Sequence, residues 1–481
     1  MPATGVLAAM QAAYARGFTA GDPSWVNFGQ GQPELDPLPG GAPRPVSVPL
    51  DKAVEGYGPV PGLPAMREAV AALVNHRFRA GKAPYRAAHV AIAGGGRAAI
   101  SRLFAALGPG RVGHASPDYP AIAEGLARHA AHLVPVHVAG TPEEGFLPRV
   151  EVLERAFADG LDAFVASHPN NPTAARWSHE ELERIVAAAR RHGTLLVLDE
   201  FYGTYVYDEP DEDRSISGLE YVVDPDRDPV VIVDGLTKAL RHPGWRLAWM
   251  VGPPDVVEVV SRIGGALDGG ANAPLQRASL DALAPAAAEA EARSVRAVFR
   301  AKRDRLVSGL EALGVRVAPA RGTFYAFCDL SGLPAPLRDA DAFFEAALDE
   351  RVITVPGRLF DMDPGHQQSG PSPLASWLRF SYGPPMAVVE EGLSRLARVV
   401  AAAAAGCLIP PRESPDSDDA RRASLAPPRA NAGSPMVRRK AAPRLAKTHL
   451  ASSQTRASRV ATLHCAGSDT SARRHVSAQP R

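Results

Sequence analysis

Lys238 follows a run of strand-forming residues, Val231, Ile232 and Val233, and a short polar turn. Arg246 stands eight residues further on, behind the break at Pro243 and Gly244. Taken alone, a lysine just past an apolar strand is most often a solvated loop residue. A second apolar run, 194–198, ends in Asp199, and Tyr202 comes three residues later. A lysine amine can form a Schiff base with a carbonyl cofactor. That chemistry also asks for an acid beside the cofactor's ring nitrogen and cations around its anionic group. The three residue types occur here in a workable order.

The elements that must position these residues are legible on either side. From His89 onward, short apolar runs alternate with helical patterns. Residues 89–93 lead into Gly94, Gly95 and Gly96 and then a helix; 132–138 and 162–167 read as strands. A helix is expected over 178–192, with Glu180 and Glu181 at its start, where the helix dipole favours negative charge. Continuous rather than alternating apolar strands, separated by helices, argue for a mostly parallel central sheet sandwiched by helices. After Pro274 a helical pattern runs on to Gly314, and 316–330 then alternates like an antiparallel pair. A helix over 339–351, strands at 352–357 and 376–382 and a closing helix over 386–405 complete a smaller α+β unit at 300–406. A large domain is expected at 51–299, with the segment 1–50 packing against the small one. That segment contains a Gly/Pro-dense loop, 27–39, where glycine lets backbone pass close to a ligand.

Apolar residues make up 46% of the chain and charged residues 22%, the balance of a soluble globular protein. No run approaches the ~20 apolar residues of a membrane span. The start of the chain lacks a basic stretch followed by a clean apolar core, so no signal peptide is expected. Cys328, Cys407 and Cys465 show neither metal-ligand spacing nor a disulfide framework, which favours a reducing cytoplasm. From 408 to 481 there are 14 Lys and Arg against 5 Asp and Glu; that net of +9, within a total of +1, leaves −8 for residues 1–407. The stretch 407–481 is rich in Ala, Ser, Pro and Arg without periodicity and reads as a disordered basic tail. A solvated extension is favoured there over a nucleic-acid contact.

Several motifs, in order, resemble those of the class I/II aminotransferase family, pyridoxal-phosphate enzymes of fold type I, over about residues 20–405. Gly94-Gly95-Gly96-Arg97 between strand and helix resembles the loop that cradles the cofactor phosphate, which implies Gly96 and Arg97 as contacts. Pro117-Asp118-Tyr119-Pro120 resembles the segment whose ring stacks on the pyridine, here Tyr119. His168-Pro169-Asn170-Asn171-Pro172-Thr173 is similar to the family's Asn-Pro-Thr-Gly turn, and Asn171 would donate to the phenolic oxygen. Ala174 replaces that turn's glycine. Asp199 would pair with the ring nitrogen and Tyr202 with the phenolic oxygen. Lys238 would form the Schiff base, with Thr237 and Arg246 on the phosphate. Gly235 stands where the family often has a serine. Arg379 matches the arginine that grips the substrate α-carboxylate, a task for a planar fork of donors, with the Gly31 amide assisting. Tyr57 resembles the tyrosine that reaches a neighbouring subunit's phosphate, and Asn272 lies in the corresponding dimer-contact loop, so a homodimer is implied.

The resemblance implies an aminotransferase that moves an amino group from an L-amino acid to a 2-oxo acid through a pyridoxamine form. Other reactions on the same scaffold (β-elimination, decarboxylation, cyclopropane-forming elimination or oxidation) start from the same imine, and these residues do not separate them. A non-catalytic ligand-sensing domain of the same fold is the remote alternative. The intact Lys238, Asp199 and Arg379 speak against it, and so does the expected start of the fold near the beginning of the chain. A chain ending at Cys407 is expected to keep the full chain's activity, measured side by side on the two purified proteins; loss of activity would assign the tail a catalytic part.

Overall fold

The computed structural model describes residues 5–406 apart from 49, 51, 208–213 and 365–369. The basic tail expected from 407 onward lies outside the described residues, as do parts of the 203–225 and 359–375 stretches. Five short β-strands with parallel neighbours form most of a seven-stranded sheet. After Val26–Asn27 (β1), its members in chain order are Val90–Ala93 (β2), Gly110–His114 (β3), Leu133–His137 (β4), Ala163–Ser167 (β5), Leu195–Asp199 (β6), Val230–Gly235 (β7) and Ala248–Val251 (β8). Across the sheet the order is β2-β8-β7-β6-β5-β3-β4. The pairs from β7 through β6, β5 and β3 to β4 are parallel, whereas β8 runs antiparallel to both β7 and β2. Every residue of β2, β5 and β8 is buried, as expected for a sheet covered on both faces.

Local chemistry accounts for the boundaries. The helix His179–His192 begins at Ser178, whose Oγ accepts from the Glu181 N–H at 3.2 Å while the Glu181 carboxylate accepts from the Ser178 N–H at 2.7 Å. It ends at Gly193 in the left-handed conformation, φ 68°, behind Arg190, Arg191 and His192. Both ends thus satisfy groups that a helix leaves open. The helical pattern after Pro274 is not continuous: it divides into Ala273–Ala278, Leu280–Leu283 and Pro285–Ala312. Pro285 is the reason for the second break. It has no N–H for a preceding turn and holds Ala284 in an extended conformation, so a helix can only start there. Asn272, expected in a contact between subunits, caps the first of these helices by accepting from the Leu275 N–H at 2.9 Å.

A smaller antiparallel sheet is built from Arg316–Val317 (β9), Tyr325–Asp329 (β10), Val355–Pro356 (β12) and Trp377–Ser381 (β13), in the order β12-β13-β10-β9. The single strand expected at 352–357 is divided. Val352–Ile353 (β11) pairs in parallel with β1, and after Thr354 the chain turns to pair with β13. Early and late parts of the chain are therefore joined through backbone. Phe28 packs edge-on against Phe380 at 6.4 Å.

A buried charge cluster holds the 29–44 segment against the turn after β7. The Arg241 guanidinium is fully buried and donates from Nε to Glu291 at 2.6 Å and from Nη1 to the carbonyls of Glu34 and Asp36. Lys302 donates to Glu34 at 2.6 Å, and the Ala42 N–H donates to the second oxygen of Glu291 at 3.0 Å. Removing one member leaves a buried charge uncompensated. Glu291→Ala is expected to lower the free energy of unfolding by about 3 kcal/mol in urea titration, and a loss under ~1 kcal/mol would show that the cluster is already hydrated.

Candidate active site

The carboxyl ends of β5, β6 and β7 lie side by side, with Ser167 paired to Asp199 and Asp199 paired to Val233. Ligands of open α/β sheets bind beyond this edge. A cavity of about 290 Å³ opens there, lined by residues from the strand ends, the start of the helix Gly96–Ala106, the small sheet and the first residues of the described chain. Of the residues singled out from the sequence, Gly31, Gly96, Arg97, Tyr119, Asn171, Asp199, Tyr202, Thr237, Lys238, Arg246 and Arg379 all line it. Tyr57 does not; its ring is fully exposed on the surface of the chain.

At the centre, the Lys238 amine donates to the Gly31 carbonyl and lies 5.7 Å from the centroid of the Tyr202 ring. Burial, helped by the nearby Arg379 cation, pushes its pKa down to about 7, although Asp199 opposes the shift. Asp199 is itself pushed up to about 7 by burial, against the pull of the Phe201 N–H and of Lys238. The Tyr202 and Tyr325 hydroxyls are hydrogen-bonded at 2.6 Å. Arg379, fully buried in the middle of β13, donates from Nη1 to Asn171 Oδ1 at 2.8 Å and from Nη2 to the Gly29 carbonyl at 2.5 Å. Its guanidinium lies 4.1 Å from the Tyr325 ring centroid and 4.8 Å from that of Phe360. Its Nε is buried without a hydrogen-bond partner.

The other end of the cavity suits an anion. Gly95 takes φ 102° as the residue capping the helix Gly96–Ala106, whose first residues, Gly96 and Arg97, line the site, and a helix start suits an anion. A Cβ on Gly95 would fall 2.4 Å from Arg246 Nη2, and φ 102° is a conformation that side chains rarely adopt, so the position favours glycine. Thr237 and Arg246 complete the donors. Gly235, where a serine was expected by resemblance, has a physical cause: a Cβ there would stand 2.5 Å from the Leu247 carbonyl and 2.9 Å from the Phe201 ring. The close pairing of β7 with β8 leaves room for glycine alone.

Sequence reading passed over the groups behind the cavity. Asp118, wholly buried, accepts from the Tyr119 N–H at 2.6 Å and from both the N–H and the hydroxyl of Ser167. Ser167 Oγ then accepts from the Asn171 N–H at 3.0 Å. One acid thus fixes the backbone carrying Tyr119 and Asn171. Its only signal in the sequence was its place beside the tyrosine. Tyr325, Phe201 and Phe360 were also missed, since a core aromatic and a site aromatic read alike.

An acid, an amine and an arginine at the strand ends of an α/β sheet, with an anion cradle opposite, define a site for a phosphorylated carbonyl cofactor. The chain matches the family model "Aminotransferase class I and II" over residues 23–396, and it belongs to that family. It is 31% identical over 348 residues to the aspartate/prephenate aminotransferase of Thermus thermophilus, covering 72% of this chain and 83% of that one. It is 28% identical over 397 residues to an aspartate aminotransferase of Streptomyces avermitilis, covering 79% and 90% of the two chains. Among solved structures, the aspartate aminotransferase from Thermus thermophilus with maleate is similar with a TM-score of 0.66 at 27% identity, over 83% of this chain and 97% of that one. An aminotransferase from Mycobacterium tuberculosis gives 0.69 at 28% identity, over 84% and 97%. The protein is a pyridoxal-phosphate-dependent aminotransferase. The glycine-permitted cradle at Gly95, the donors beside it and the paired acid and amine fit that cofactor. Among the described residues no helix is long and apolar enough to cross a membrane, and no group of three or more His, Cys, Asp or Glu is placed to hold a metal.

The Lys238 amine has a pH signature. An amine of pKa about 7 is protonated below that value and reactive above it, whereas an ordinary lysine becomes reactive only near ~10. Loading of cofactor-free protein with pyridoxal phosphate, followed by absorbance, is expected to accelerate up to pH about 7 and then level off. Continued acceleration through pH 9 would contradict the depressed pKa.

Proposed function

We propose that this chain moves an amino group from an L-amino acid to a 2-oxo acid through a Schiff base on Lys238. In this reading it works as a cytoplasmic homodimer, with a large domain at 51–299, a small one at 300–406 and residues 1–50 packed on the latter. One observation carries the reading: a half-buried lysine amine shares a cavity with a buried aspartate, a buried arginine and a helix start opened by Gly95. Pyridoxal phosphate supplies an electron-withdrawing ring that stabilises negative charge at the substrate Cα.

The chain's own groups have separable tasks. The backbone amides of Gly96 and Arg97 at the helix start, with Thr237 and Arg246, would hold the phosphate, and Tyr119 would cover the ring. Asp199 would pair with the ring nitrogen. Burial raises its affinity for a proton, and a cationic nitrogen beside it returns it to the carboxylate form. Asn171 already accepts from Arg379 through Oδ1, which leaves its NH₂ to donate to the phenolic oxygen together with the Tyr202 hydroxyl. Arg379 takes the α-carboxylate with its fork of donors, assisted by the Gly31 amide. Lys238 Nζ would take the proton from the substrate Cα, a task suited to a base of pKa about 7. Tyr57, exposed on one chain, is free to reach the phosphate of a second copy.

The purified protein is expected to absorb near ~420 nm with cofactor and to shift to ~330 nm with a reactive L-amino acid, returning on addition of a 2-oxo acid. Lys238→Ala should abolish the first band. Arg379→Lys should raise KM by roughly 10- to 100-fold, since an ammonium cannot make the paired contact. Release of ammonia or carbon dioxide in place of the oxo-acid product would overturn transamination while sparing the cofactor assignment.

A further inference from the structure

We propose that the substrate side chain this site favours is apolar, branched-aliphatic or aromatic, over one that carries a second carboxylate or an amine. The inference rests on the preceding reading, in which Arg379 takes the α-carboxylate. With Lys238, Arg246 and Arg379 committed to amine, phosphate and carboxylate, the described lining of the cavity holds one further cation, Arg97. Its Nη1 donates to Glu124 at 2.8 Å, and its guanidinium lies 5.5 Å from the Tyr119 ring centroid. A second carboxylate on the substrate would therefore meet a cation already neutralised by a carboxylate of the chain, and would stand close to Glu124 itself. Aspartate, named for several relatives, is such a substrate.

A distal amine fares no better. Asp199 is the one acid in the described lining, and it serves the ring nitrogen. A charged side chain placed in a cavity without a counter-charge is disfavoured by the loss of its hydration.

One part of the wall is apolar. Val6 and Leu7 at the start of the helix Val6–Ala15 face the cavity together with Pro120 and Phe360. Leu7 is 57% exposed. A leucine- or phenylalanine-like side chain laid against it would remove apolar surface from water on both partners. A carboxylate laid there would gain nothing from the contact and would lose hydration.

Binding of acids that lack an amine separates this inference from the chemistry, because no reaction can follow. Holoenzyme is titrated with 3-phenylpropanoate, 4-methylpentanoate, succinate and 6-aminohexanoate, by calorimetry and by the change in the cofactor band. The two apolar acids are expected to bind at least ~10-fold tighter than succinate or 6-aminohexanoate, the scale of discrimination that an apolar pocket achieves. Glu124→Gln, which releases Arg97 from its ion pair, should bring succinate close to 3-phenylpropanoate. Leu7→Ser should weaken the two apolar acids and not succinate. Equal or tighter binding of succinate or 6-aminohexanoate by the unaltered protein, with the cofactor band present, overturns the apolar preference alone. Failure of Glu124→Gln to narrow the gap removes the part played by Arg97. Failure to form a cofactor band on loading overturns the underlying reading as well.

Discussion

Asp199, Lys238 and Arg379 stand together at a sheet edge where a charge without a partner costs several kcal/mol. The two cations are therefore tied to groups far away in sequence. Lys238 donates to Gly31, and Arg379 donates to Gly29 and Asn171. The loop at 29–31 touches both cations through its carbonyls. The early loop, the β5 turn, the β7 turn and β13 have to meet at one place for these charges to be buried at all. The shifts at Asp199 and Lys238, both toward about 7, follow from the same burial. They leave an acid and an amine each near the midpoint of its titration at neutral pH, where proton transfer is easiest.

Holding that meeting place together requires close backbone approaches and a second layer of charge. Gly235 lets β7 pass within reach of Leu247 and Phe201, and Gly95 lets the helix start pass under Arg246. Ala174, standing in for a glycine, still adopts the left-handed conformation at φ 62°, at a cost of about 1 kcal/mol. Its N–H donates to the Asn170 carbonyl at 2.9 Å, and its own carbonyl accepts from the Gly322 N–H at 2.9 Å, so the turn is kept by its hydrogen bonds. Arg241, three residues after Lys238, then locks the segment beyond the early loop through Glu291 and two carbonyls.

The two ends of the cavity are built from different parts of this structure. The cofactor end is made of backbone amides, glycine and strand termini, which leave little freedom for change. The far wall is made of side chains from the first helix, Pro120 and Phe360, with Arg97 drawn toward Glu124.

The order of the motifs, the alternation of strands and helices and the choice of a lysine, an acid and an arginine that line one cavity were all legible in the sequence. Each is a local matter: an apolar run that ends in a charged residue, or glycines between a strand and a helix. Proline showed how far such reading reaches. The apolar periodicity carried one helix across 274–314, yet Pro285 divides it, and the strand at 352–357 serves two sheets. What only the tertiary structure decided concerns contacts between distant segments. Asp118 holding Ser167, Arg241 holding Glu291, Arg97 paired to Glu124 and the exclusion of any side chain at position 235 all belong here. No periodicity marks such residues. Their roles depend on which surfaces the completed sheet brings within a few ångströms, and on the cost of leaving a buried charge without its partner.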